Sequence, residues 1–258
     1  MPQKPIKAET VDRLKVRIYE SRKEMGEAAG EEAAAKIKEL LSKQQSVRII
    51  FAAAPSQNQL LDRLAADPDI EWRRITAFHM DEYIGLPEGA PQAFSRYLRE
   101  RLFDRVKPGI VHLIDGANTA EEECARYESL LKEAPIDIVC LGIGENGHIA
   151  FNDPPVADFN DPVLMKAVEL DDVCRQQQVN DGCFRTFDEV PTHALTLTIP
   201  ALLTAANLFC VVPGPTKRQA VARTLRDPVS THCPSTILRT HADCTLYVDI
   251  DSYGEPRP

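Results

Sequence analysis

The sequence predicts an α/β fold, a mainly parallel sheet wrapped by helices, and three observations lead there. Short β-branched runs alternate along the chain with longer amphipathic stretches. One run, PIDIVCLGI (135–143), is apolar almost throughout, as expected of a strand buried on both faces of a parallel sheet. The 258 residues contain no repeat, no low-complexity segment and no linker, which predicts a single domain over 1–258.

The elements follow in order. Residues 13–20 alternate like a strand, and EMGEAAGEEAAAKIKELLSKQ (24–44) has the Ala/Glu/Lys composition of a helix. SVRIIFAAA (46–54) reads as a strand and SQNQLLDRLAAD (56–67) as a helix that Ser56 could cap. ITAFHM (75–80) is the next strand; a loop follows, then a helix over FSRYLRERLFDRV (94–106). IVHLI (110–114) is short and extended, and TAEEECARYESLLKE (119–133) is a helix with acids in its first turn, where the dipole favours them. After the apolar strand at 135–143 come strands at 165–170, 193–199 and 207–213. A helix at 214–227 and a last strand at 244–251 complete the chain.

Composition narrows the function. A net charge of −9 disfavours nucleic acid or an anionic membrane as the main partner. No apolar stretch reaches the roughly 18 residues needed to span a bilayer. The N-terminus lacks the hydrophobic core of a signal peptide, and the seven cysteines are scattered without a CxxC pair. Reduced thiols in a cytoplasmic protein are the expectation, with neither a disulfide framework nor a zinc site.

In open α/β sheets ligands bind beyond the carboxyl ends of the strands, so the polar residues standing there are the candidates. GENGHIAFND follows the apolar strand and places Asn146, His148 and Asp153 at its end, with Gly144 and Gly147 allowing close approach of the backbone to a ligand. A histidine and a carboxylate in a glycine-rich turn suit general acid–base work. A dinucleotide fingerprint fits poorly, because Pro154 and Pro155 break the helix it needs. Asp81 and Glu82 follow the strand at 75–80 and add a second acid-bearing strand end. In VVPGPTKRQAV (211–221), Lys217 stands in the first turn of a helix, where free N–H groups and a point charge can receive a phosphate. In FAAAPSQNQLL (51–61), Ser56 and Gln57 offer hydrogen bonds to a sugar or phosphate.

These residues together resemble the glucosamine-6-phosphate deaminase/isomerase family, which shares its fold with the 6-phosphogluconolactonases. MDEYIGLP (80–87) and GIGENGHIAFNDP (142–154) carry the resemblance, and VPTHALTLTIPALLTA (190–205) and PGPTKRQAV (213–221) extend it. The resemblance implies a modified doubly wound, Rossmann-type sheet and a reaction with no metal and no cofactor. It implies Asp81 as the base that moves a proton between C2 and C1 of an open-chain amino sugar and His148 as the group that opens the pyranose ring. Asn146 and Asp153 would orient that imidazole, and Lys217 would bind phosphate. Three departures stand out. Asp153 occupies a position where glutamate is usual, AAAPSQNQ replaces a glycine-rich phosphate turn, and the lid-like segment around 155–185 has Gly182 where a phosphate-binding arginine is expected. Arg175 is the alternative donor from that segment. The implied partner is a small-molecule sugar phosphate, and assembly into a homo-oligomer is left open. A lactonase and a non-catalytic sugar-phosphate sensor are the alternatives.

Overall fold

The computed structural model describes residues 3–87 and 89–254; residues 1–2, 88 and 255–258 of the 1–258 span lie outside the described residues. The chain opens with an antiparallel pair, β1 (Lys7–Val11) and β2 (Leu14–Tyr19), followed by α1 (Arg22–Leu41). β3 (Val47–Phe51) and α2 (Asn58–Ala65) lead to β4 (Ile75–His79) and the three-residue β5 (Asp81–Tyr83). The helix expected at 94–106 is present as α3 (Phe94–Leu98), a wider π turn (Arg99–Phe103) and α4 (Asp104–Val106). Next come β6 (Ile110–Val111), α5 (Ala120–Lys132), β7 (Ile138–Leu141), β8 (Met165–Glu169) and α6 (Asp172–Asn180). β9 (His193–Leu197), α7 (Ile199–Leu203), β10 (Asn207–Val212), α8 (Arg218–Arg226), β11 (Cys244–Asp249) and α9 (Ile250–Tyr253) complete the order.

Eight strands form the main sheet in the order β1-β2-β11-β10-β7-β3-β4-β6, parallel except for β1. The central strands bury both faces, and their side chains alternate between two cores as the two-residue period requires. Ile49 and Phe51, Ile138 and Cys140, Phe209 and Val211 point to one side, under α1 and α2. Ile50, Val139, Leu141, Cys210 and Val212 point to the other, under α5, α7 and α8. This explains why residues 138–141 are continuously apolar.

Two expectations need correction. The strands at 165–170 and 193–199 do not join the main sheet; with β5, which sequence reading left as loop, they form a separate antiparallel sheet in the order β5-β9-β8. Met80 is the junction, its carbonyl accepting a hydrogen bond from Leu197 at 2.8 Å, so the chain changes sheets within one residue of β4. Ser56 caps no helix: Pro55–Gln57 make a 3₁₀ turn ahead of α2, with no side-chain cap.

The chain steps from β3 outward to β4 and β6, then returns to place β7 on the other side of β3. That reversal opens a crevice between the carboxyl ends of β3 and β7, where ligands of such sheets bind.

Candidate active site

A cavity of about 260 Å³ fills this crevice. The ends of β3, β4, β7 and β10 supply Ser56, Asp81, Gly144, His148 and Lys217 to its lining, and α6 with the turn after it closes one side. Five of the residues singled out from sequence, widely separated along the chain, therefore face one volume.

Asp81 is 7% exposed, and its carboxyl accepts no hydrogen bond among the described residues. Burial, and then the charge of Glu82 beside it, push its carboxyl well above the usual carboxylate range. Glu82 itself has a different task. Its carboxylate accepts from the backbone N–H of Tyr83 (3.0 Å), Phe94 (3.0 Å) and Ser95 (2.8 Å), tying β5 to the uncapped start of α3. It faces a separate depression with Ser95 and Arg99, so its expected place among the substrate ligands is corrected to a structural one. His79, at the end of β4, is fully buried, its Nε2 accepting from Ile114 N–H at 2.7 Å; burial pushes it down to about 3, so it stays neutral.

The turn after β7 holds a closed set of contacts. Asn146 donates from Nδ2 to Asp153 Oδ1 (2.8 Å), and its own Oδ1 accepts from His148 N–H (2.9 Å). His148 Nδ1 lies 2.8 Å from the same Asp153 oxygen, close but off the axis of an aligned hydrogen bond. Burial pushes the Asp153 carboxyl up, but the charge and contact of His148, with Asn146 and the Cys174 thiol donating, outweigh it and hold Asp153 below the usual range. Gly144 is required by contact: a Cβ there would meet the His148 ring at 2.1 Å. Gly147 is required by conformation, with φ +88 and Cys233 Sγ 2.6 Å from any added Cβ. Ala150, also facing the cavity, holds φ 51, an unusual left-handed setting for a residue with a side chain.

On either side of the end of β7 stand two turns, Pro55–Gln57 after β3 and Pro215–Lys217 after β10. Lys217 is 6% exposed, and its ammonium has no ion-pair or hydrogen-bond partner among the described residues. Burial lowers its pKa, with Asp181 and Glu145 opposing. The Gly214 N–H that begins its turn is held by Asp249 Oδ1 (3.0 Å) and Oδ2 (3.1 Å), the residue that also caps α9. Gln57, expected as a ligand, is corrected to a brace. It is fully buried, and its Nε2 donates to Leu141 O (3.2 Å), Val211 O (3.4 Å) and Ser56 Oγ (3.2 Å), bridging the ends of β7 and β10.

Arg175 is likewise corrected. Its Nη2 donates to the carbonyls of Phe187 (3.1 Å) and Val190 (3.0 Å), and its guanidinium lies 4.0 Å from the centre of the Phe187 ring. It points away from the cavity and cannot stand in for a phosphate-binding arginine. From α6, Gln177 and Gln178 reach the cavity instead, joined by Cys183 beyond it. Gln177 Oε1 also accepts from Glu145 N–H at 2.8 Å, clasping α6 to the turn after β7. Phe94 and Phe151, stacked 5.6 Å apart at 20°, give an apolar wall, and Arg22 at the start of α1 reaches the rim. None of these residues is among the sequence candidates: Phe151 belongs to the GHIAFND turn, whereas Arg22 and the glutamines carry no local signal.

His148, Asp153 and Cys174 also form the one cluster among the described residues whose donor atoms, within 4.8 Å of one another, could hold a metal ion. Burial, and then the Asp153 charge, push the Cys174 thiol well above its ordinary value. A thiol kept protonated beside a carboxylate acts as a hydrogen-bond donor, and the three read chemically as a proton-holding group.

Residues 20–247 match the family model described as glucosamine-6-phosphate isomerases/6-phosphogluconolactonase. A glucosamine-6-phosphate deaminase of Listeria monocytogenes serotype 4a (strain HCC23) is 37% identical over 182 residues, 70% of this chain and 76% of the relative. One from Bacillus cereus (strain B4264) is 38% identical over 181 residues, covering 70% of this chain and 67% of its own. Among solved structures, a monomeric glucosamine-6-phosphate deaminase has TM-score 0.85 and 28% identity over 93% of this chain and 99% of that one. A 6-phosphogluconolactonase from Thermotoga maritima shares the fold, with TM-score 0.75 and 23% identity over 93% of this chain and 100% of its own. Among the described residues, no helix is long and apolar enough to cross a membrane.

Proposed function

The chain belongs to the glucosamine-6-phosphate isomerase/6-phosphogluconolactonase family, and on that premise we propose that it is an amino-sugar-phosphate deaminase/isomerase. Its substrate is glucosamine 6-phosphate or a related hexosamine 6-phosphate, and its products are a ketose 6-phosphate and ammonia. One observation carries the reading: the unpartnered, buried carboxyl of Asp81 shares a small cavity with His148 and with a buried, unpaired lysine.

His148, steadied by Asn146 and Asp153, moves the proton that opens the pyranose ring. Asp81 then takes the C2 proton of the open-chain amino aldose, leaving an enolamine, and returns it to C1. The resulting imine at C2 adds water and releases ammonia, so the net reaction consumes one water and yields the ketose phosphate. A raised carboxyl is suited to this task, since its proton affinity approaches that needed for transfer to and from carbon near neutral pH. Lys217, Ser56 and the turn containing Thr216 receive the phosphate. The segment 155–185 serves as a lid, with Gln177 and Gln178 of α6 facing the sugar.

The test is ammonia release from purified protein given glucosamine, galactosamine and mannosamine 6-phosphates side by side, with lactone hydrolysis measured in parallel. Rapid release from one sugar identifies the substrate. Lactone hydrolysis without ammonia replaces the deaminase reading with a lactonase, in which His148 activates water and Asp81 has no carbon proton to move.

A further inference from the structure

We infer that Arg22, at the first turn of α1, is the second cation of the phosphate site and a determinant of specificity for phosphorylated substrates. This deepens the reading above and rests on it. A phosphate monoester near neutral pH carries close to two negative charges. Among the residues lining the cavity there are two cations, Lys217 and Arg22, and no others. Arg175 is bound to the carbonyls of Phe187 and Val190 and faces elsewhere.

The local geometry gives Arg22 its place. Its Nη2 donates to the carbonyl of Pro55, and its Nε donates to Gln59 Oε1 at 3.2 Å. Those two bonds fix the guanidinium against the very turn that a phosphate would meet, and Nη1 keeps no protein partner among the described residues. Pro55 and Pro215 have no N–H, and the N–H groups of Gln57 and Lys217 are engaged by Ala54 O (2.9 Å) and Gly214 O (3.2 Å). Of the backbone donors in the two turns, Ser56 and Thr216 N–H are left for an anion, and the positive charge must come from side chains. The buried, unpartnered ammonium of Lys217 marks the seat, and Arg22 lines the same cavity from its bond to Pro55. A guanidinium held by two bonds keeps a free edge for a phosphate oxygen, which is the geometry that arginine supplies and lysine does not.

The experiment measures binding of inorganic phosphate to the full chain by calorimetry, together with kcat and KM for a hexosamine 6-phosphate and its unphosphorylated sugar. The variants are Arg22→Ala, Arg22→Lys and Lys217→Ala. Loss of the Arg22 charge should weaken phosphate roughly tenfold or more, about 1.4 kcal/mol for each tenfold. KM for the phosphorylated sugar should rise by a similar factor with kcat nearly unchanged, Arg22→Lys should recover part of the loss, and the unphosphorylated sugar should be indifferent. A purely structural tie to Pro55 would instead lower the melting temperature and affect both sugars alike, which would overturn the proposal. So would an Arg22→Ala protein that binds phosphate as tightly as the parent while Lys217→Ala does not, or a parent indifferent to phosphate. Phosphate binding that depends on Arg22 in a protein that releases no ammonia would sustain the site and remove the deaminase reading, so the two fail separately.

Discussion

On one side of the cavity, Asn146 ties the His148 backbone to the Asp153 carboxylate beside Gly144 and Gly147; on another, the Lys217 ammonium is buried with no ion-pair or hydrogen-bond partner among the described residues. Both arrangements cost something, but in different ways. The first side gives up backbone freedom to hold an imidazole in one orientation, which suits the proton transfer proposed for His148. The second side leaves a buried positive charge without a counter-charge in contact, a cost that a bound anion would relieve. Asp81 shares this second character: it is buried, unpaired and raised. Under the proposed function, preformed contacts thus accompany the group to be aimed, and missing contacts accompany the groups that would meet the substrate's proton and phosphate.

The largest effect expected is at Asp81. Asp81→Asn should lower turnover by about 10²–10⁴-fold, the usual contribution of a positioned acid–base group, with substrate binding retained. It should also stabilise the protein near neutral pH. A carboxyl whose folded pKa lies above its unfolded value binds more protons when folded, so stability declines as pH rises from the ordinary carboxylate range through the raised one. Removing that charge should recover about 1–3 kcal/mol at neutral pH, a gain that shrinks in acid, read by melting at several pH values. For the parent, turnover should fall on acidification at a pH above the ordinary carboxylate range, because the base must be ionised. A pH–rate profile whose acid limb sits at an unshifted carboxylate value would remove Asp81 from the role.

Gly144→Ala comes next. Its Cβ would lie 2.1 Å from the His148 ring, so the imidazole must move, and about 10²-fold of activity should go with it. Gly182→Ala is the control: its φ is +77, with nothing within 4 Å, so strain without displacement should leave activity much closer to the parent. Equal losses in the two variants would break the distinction between aiming His148 and merely straining a turn.

Lys217→Met sharpens the second side of the comparison. KM for the phosphorylated sugar should rise by about 10–100-fold, the equivalent of one charged hydrogen bond, while the ligand-free protein melts higher because an unpaired buried charge is gone. In the parent, phosphate affinity should decline with rising pH sooner than for an exposed lysine, since burial lowers the pKa of Lys217. The smallest effect on chemistry is expected from Glu82→Gln. Three backbone N–H groups lose a charged acceptor, so stability should fall by about 1–3 kcal/mol, with KM and kcat within about threefold at a temperature where the variant is folded. A large rise in KM without loss of stability would return Glu82 to the substrate.

Much of the fold was legible because burial writes itself into the sequence. Residues 138–141 are apolar at every position, since both faces of that strand are covered, and the first turn of α5 carries Glu121, Glu122 and Glu123 where the dipole favours them. The short β5 left no such mark, because three residues cannot display a period. Asp81, His148, Asn146, Asp153 and Lys217 were legible as polar residues at strand ends, a position that in this architecture is close to a ligand by topology alone. Their neighbours were not. Glu82 and Asp81 are adjacent carboxylates of one strand, and the alternation of side chains sends one to the cavity and the other to α3.

The sequence by itself therefore determined the alternation of elements, the buried central strands and the polar strand ends that gather at the switch point. Each follows from local periodicity and from the solvent-averse character of a covered strand. Only the tertiary structure decided which polar groups are already hydrogen-bonded. Gln57 braces β7 and β10, Arg175 holds the carbonyls of Phe187 and Val190, and Arg22, more than thirty positions before Pro55, arrives at its carbonyl. The reason is physical: a side chain meets a ligand only through the donors and acceptors that no nearer partner claims, and the nearest partners here are distant in sequence.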